Sequence, residues 1–78
     1  MARTIQDDDL RVWEVYPSSG AEGLHDDACI VFNCLTNRLI RPRYVEVDGA
    51  DGAEAERLVV QAPDLALKEM LLSSKPVD

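Results

Sequence analysis

The sequence is poor in the residues from which catalytic and metal sites are assembled. One histidine and two cysteines occur in 78 residues, and neither CxxC nor HxxxH spacing is present. Paired ligands for a structural zinc are therefore missing. No GxGxxG or P-loop pattern occurs, and Gly20 and Gly23 are simply two glycines of one loop. The start, MARTIQDDDL, has no apolar core of a signal peptide, and no apolar run is long enough to span a bilayer. A cytoplasmic protein with no membrane partner is expected. Cys29 and Cys34 lie five residues apart in one predicted strand, which puts them on opposite faces with Cα atoms about 16 Å apart. That is far beyond the reach of a disulfide, so two reduced thiols are expected.

Charge of one sign dominates what is there. Fifteen acidic against eight basic residues give a net charge of −7, which disfavours non-specific attraction to nucleic acid or anionic lipid. The distribution is uneven. Arg38, Arg41 and Arg43 cluster, while Asp7, Asp8, Asp9, Asp26 and Asp27 hold the acidic density. At this length one domain is expected, with a net stability of only about 3–5 kcal/mol unless a disulfide, metal or second subunit helps.

Residues 1–9 are polar and acidic without apolar period and read as a flexible tail, leaving 10–78 as the domain. Residues 10–16 alternate, with Leu10, Val12, Glu14 and Tyr16 on one side and Arg11, Trp13 and Val15 on the other, and Pro17 closes this first strand. An eleven-residue loop, 17–27, contains the single histidine. Residues 28–35 are apolar almost throughout, which predicts a central strand covered at least partly on both faces. A Thr36-Asn37 turn then predicts a tight hairpin into a third strand over 38–47, with Pro42 marking an edge or bulge. The turn DGADG follows. Residues 54–61 combine a helical EAER with a β-prone LVV and are read as a short fourth strand around 57–61. Pro63 and Asp64 open a helix over 65–73, with Ala66, Leu67, Met70 and Leu71 on one arc and a second narrow stripe of Leu65 and Leu72. The fold class expected is α+β: a small antiparallel meander of three to four strands with one C-terminal helix packed on a face.

Candidate sites are few. His25, Asp26 and Asp27 with a cysteine suggest a metal site, but a solvated turn explains them better. Asp48, Asp51, Glu54 and Glu56 do not fit the EF-hand pattern, since Ala50 and Gly52 fall where oxygen ligands are required. A Cys–His pair is disfavoured because burial in an apolar strand suppresses the thiolate. Arg41 and Arg43, with Tyr44 beside them, are the best surface candidate for phosphate, carboxylate or an acidic peptide. Pairing with Glu14 or with the acidic loop is the simpler use of them. Trp13, the only tryptophan, reads as a core or rim anchor, and as an interface residue if exposed.

The order Trp13-Glu-Val15, Ile30-Val-Phe32, Arg38-Leu-Ile-Arg-Pro42 and a terminal helix leading to Lys75-Pro76-Val77 resembles small uncharacterised bacterial proteins with a tryptophan-bearing first strand, an arginine-rich hairpin and a C-terminal helix. The resemblance implies an α+β fold and a bacterial cytosolic origin, and no activity.

With no catalytic set, no cofactor and no metal expected, the leading reading is a small non-enzymatic domain that binds a protein or itself, as a homodimer. Its candidate contacts are Leu65, Leu72, Trp13, Arg41, Arg43 and Tyr44. Nucleic-acid binding through Arg38, Arg41, Arg43 and Tyr44 is the alternative, and an enzyme or metal site built on His25 and a cysteine comes third.

Overall fold

The computed structural model describes residues 2–18, 28–47 and 52–76. Five strands and two helices follow in the order β1 Arg3–Gln6, β2 Val12–Ser18, β3 Cys29–Cys34, β4 Arg43–Glu46, α1 Gly52–Gln61, α2 Asp64–Ser73 and β5 Lys75–Pro76. All five strands join one antiparallel sheet in sequence order. Between β4 and β5 the chain leaves the sheet to lay both helices on one face. Fold class is therefore α+β with a meander, as expected, but with one more strand than the upper expectation and a second helix.

The core follows from strand alternation. Trp13 and Val15 of β2 and Ile30, Phe32 and Cys34 of β3 are buried on one face, where Ala55 and Val59 of α1 and Leu67 and Leu71 of α2 meet them. Cys29, Val31 and Asn33 on the other face of β3 are only half-buried. β3 is thus central, with a partner strand on each side, yet neither described helix covers its second face. Hydrogen-bonding neighbours made it central, and layers did not. Cys34 lies in the core and Cys29 on the opposite face, and no disulfide joins them.

Several expectations are corrected. The supposed flexible tail contains β1, whose Ile5 is buried opposite Trp13. Four residues with one apolar side chain carry too weak a period to read, and only the neighbouring β2 makes them a strand. The first strand begins at Val12 and runs on through Pro17 to Ser18. Asp7 N–H donates to the Arg11 carbonyl and Leu35 N–H to the Val12 carbonyl, so by alternation the even residues of β2 bond to β3 and the odd ones towards β1. Pro17 falls on the β1 side but beyond Arg3, which pairs with Val15, and its missing N–H disrupts no rung.

The expected tight hairpin at 36–37 is an eight-residue connection, 35–42, and the third predicted strand shrinks to β4. Asn37 is the reason. Its Oδ1 accepts the Leu39 N–H at 2.9 Å and its carbonyl accepts the Ile40 N–H at 3.2 Å, a local turn that competes with strand pairing. Pro42 then offers no donor, and pairing starts only at Arg43.

Residues 57–61 are helical, part of α1. The β-prone LVV is overruled because Ala55 and Val59 are buried and Leu58 and Ala62 pack beside them, a spacing only a helix brings to one face. The arc Ala66, Leu67, Met70 and Leu71 of α2 does face the sheet. Pro63 is its N-cap, extended at φ −67° and ψ 156°, rather than part of its first turn.

Two arginines hold α2 at its ends. Arg3 of β1 donates to the carbonyls of Val59 at 3.0 Å and Ala62 at 2.5 Å and pairs with Asp64. It thereby satisfies carbonyls left over where α1 stops and meets the acid at the positive end of α2. Arg43 of β4 donates through Nε to Ser74 Oγ at 2.7 Å and through a terminal nitrogen to the Ser74 carbonyl at 2.5 Å. α2 so crosses the sheet from β1 to β4 and delivers β5 to its place beside β4.

Candidate functional site

The site starts from the turn between β1 and β2. Asp7 organises it: Oδ1 accepts the N–H groups of Asp9 and Arg11, each at 2.9 Å, and Oδ2 accepts Trp13 Nε1 at 2.9 Å. Burial pushes the Asp7 carboxyl up, but the bonds from Trp13, Arg11 and Asp9 and the charge of Arg11 outweigh it and hold the group below its ordinary value of 3.8. Closing the turn leaves Leu10 at φ 66°, a left-handed conformation that is unusual for a bulky side chain and costs about 1–2 kcal/mol. Glycine or asparagine would hold this position without that cost.

Connection 35–42 lies at the same end of the strands. Thr36 Oγ1 accepts the Val12 N–H at 2.7 Å, which ties the connection to the start of β2. The third border is the second half of α2, with Lys68, Leu71 and Leu72.

Between these segments runs a cleft of about 350 Å³. Trp13, Ile40, Leu71 and Leu72 give it apolar lining, and Asp7, Asp8, Asp9, Arg11, Arg43 and Lys68 complete it. A second cleft of about 420 Å³ adjoins it, sharing Ile40 and bordered by Leu35, Arg38 and Pro42. The three most exposed large apolar side chains among the described residues belong to this end: Leu39 at 92%, Leu72 at 83% and Leu10 at 71%. Leu72 lines the first cleft, Leu10 stands between the lining residues Asp9 and Arg11, and Leu39 precedes Ile40. The three segments that enclose the cleft thus each carry one highly exposed leucine, of which Leu72 lines it and Leu10 and Leu39 flank lining residues in the chain.

The predicted site residues fare unequally. Trp13 is buried and shields the floor of the cleft rather than projecting from it. Arg41 and Arg43 do not act as a pair. Arg43 is opposite Phe32 on the helix-bearing face and is engaged by Ser74, while Arg41 is exposed before β4 begins. Glu14 pairs in register with Thr4 and Asn33 on the face opposite the described helices, away from Arg43. Tyr44 lies on that face too, in one row with Tyr16, Val31 and Lys75. Leu65 and Leu72 are both exposed, but only Leu72 borders the cleft. Seven residues of helix separate them by about 10 Å.

Sequence reasoning missed Leu10 and Leu39 because both were assigned to strands. The available signal was an apolar residue set among turn formers, DDDLR and TNRLIR.

His25, Asp26, Asp27, Asp48 and Asp51 lie outside the described residues. Among the described residues no group of three or more His, Cys, Asp or Glu side chains converges on a common point. None of the described helices is long and apolar enough to cross a membrane. No family model, curated protein or solved structure matches the chain. Fold and site together define an α+β meander domain with two helices on one face and a leucine-rimmed cleft at one end of its sheet.

Proposed function

We propose that this chain is a small non-enzymatic domain that binds another protein through the leucine-rimmed cleft. One observation carries the reading: the three most exposed leucines lie on the three segments that enclose one cleft. Scattered exposed leucines are ordinary on any surface, whereas several gathered at a concave apolar site are the mark of an interface. The left-handed Leu10 adds to it, since backbone strain at a residue chosen for its side chain is typical of functional positions. The interface belongs to a reducing compartment such as the cytoplasm, a placement supported by Cys29 and Cys34 forming no disulfide.

Nucleic-acid binding through Arg38, Arg41, Arg43 and Tyr44 draws less support, because Arg43 is engaged by Ser74 and Tyr44 stands on the other face. A second copy as the partner is the simplest variant of the leading reading.

The test is capture of binding partners from native lysate with nuclease present, comparing wild type, Leu39→Glu/Leu72→Glu and Leu65→Glu. A partner retained by wild type and Leu65→Glu but lost from the double variant is expected. Equal retention by all three removes the cleft from consideration, and loss from Leu65→Glu alone moves the site to the start of α2.

A further inference from the structure

The charges around the cleft narrow the partner, and the inference rests on the protein-binding reading above. Arg11, Arg43 and Lys68 line the first cleft, Arg38 lines the second, and Arg41 lies between the lining residues Ile40 and Pro42. Among the described residues, five of the eight basic side chains therefore line or flank the clefts, with three of the nine acidic ones, Asp7, Asp8 and Asp9. The other described residues carry six acidic against three basic side chains. Glu69 is exposed on α2 beside Lys68 but lines neither cleft.

The three aspartates are also committed. Asp7 accepts from Trp13 and two backbone N–H groups, Asp8 lies 3.6 Å from Lys68, and Asp9 lies 3.6 Å from Arg11. Arg38 and Arg41, on the connection that presents Leu39, are exposed and stand apart from these pairs. An incoming chain thus meets apolar side chains framed by an excess of positive charge among the described residues.

We propose that the cleft takes a short amphipathic segment of a partner protein in which leucine-like side chains alternate with acidic ones. Apolar groups seat between Leu10, Leu39 and Leu72, over the floor of Trp13 and Leu71, and carboxylates meet Arg38 and Arg41. A basic segment is excluded by the same residues, so charge sets specificity while the leucines supply contact area.

Trp13 provides the reporter, being the only tryptophan and part of the cleft lining. Three synthetic fourteen-residue peptides sharing identical leucine positions, with glutamate, glutamine or lysine elsewhere, are titrated against the full chain while its fluorescence is followed. The glutamate peptide is expected to bind at least ten-fold more tightly than the lysine peptide, with affinity falling as salt rises. In Arg38→Gln/Arg41→Gln that preference is expected to shrink to less than three-fold, and Leu39→Glu/Leu72→Glu is expected to bind no peptide. Equal binding of all three peptides, or preference for lysine, overturns the acidic partner and leaves the protein-binding reading in place. Binding of none overturns both. Light scattering run in parallel decides the remaining occupant: a dimer abolished by Leu39→Glu/Leu72→Glu would give the cleft to a second copy and overturn the acidic segment.

Discussion

Leu71 and Leu72 are neighbours on α2 and lie in opposite environments. Leu71 is buried with Leu67 against the sheet, whereas Leu72 stands in solvent with Leu10 and Leu39. The same side chain is thus used twice, once to close a core and once to build a rim. What separates the two uses is whether anything in this chain covers the residue. Buried leucines hold the helices to the sheet and are expected to govern stability. Rim leucines contribute little to stability and are expected to govern binding.

The comparison breaks most visibly in the core. Phe32 of β3 is fully buried in the core that the helices close, and Phe32→Ala is expected to cost about 3–5 kcal/mol. In a domain of this size that approaches the whole stability, and chemical denaturation of purified protein should find it largely unfolded. A fully cooperative transition near the wild-type midpoint would mean that the core is not centred there.

Arg3→Met should come next, at about 2 kcal/mol, because it removes charge-assisted bonds to Val59, Ala62 and Asp64 at once. Amide exchange should then quicken at the junction of α1 and α2 before it quickens in β3. Uniform exchange would deny Arg3 its local role.

Leu10→Gly sharpens the contrast. Relief of the left-handed backbone is expected to raise stability by about 1 kcal/mol while weakening binding at the cleft. A variant that is both less stable and unchanged in binding would place Leu10 with the core leucines. Leu72→Glu completes the series: its unfolding midpoint should correspond to a change within about 0.5 kcal/mol, as for an exposed substitution, with binding lost.

Asp7 adds a pH dependence to the rim. Its folded value lies below the ordinary 3.8, so its contribution is complete above that pH and is lost as pH falls through the folded value. Denaturation midpoints of wild type and Asp7→Asn should differ by a constant amount from pH 7 to pH 5, and the gap should close below pH 3.8. A gap that instead opens on acidification would contradict the bonding at Asp7.

Legibility in the sequence tracked how local each determinant is. The alternation of Trp13 and Val15, the apolar face of β3 and the arc of α2 repeat with the period of their own element, and all were readable. β1 was not, since Arg3–Gln6 is ordered by pairing with β2 and by an arginine whose acceptors lie more than fifty residues away. α1 was misread because its β-prone residues conform to a burial pattern imposed by the sheet. The long connection 35–42 arises from the side chain of Asn37, whose choice between turn types depends on the residues after it. Of the candidate site, the exposed leucine of α2 was legible as a stripe without a partner, but Leu10 and Leu39 were hidden in runs that resemble strands.

The sequence by itself therefore determined the class, an acidic α+β domain without a legible catalytic or metal pattern, because composition and periodicity are properties of single segments. Only the tertiary structure decided which leucines are covered, that Arg43 belongs to Ser74 rather than to a surface pair, and that three distant segments share one cleft. Those are relations between elements, set by strand register and by where α2 crosses the sheet, and no local pattern encodes them.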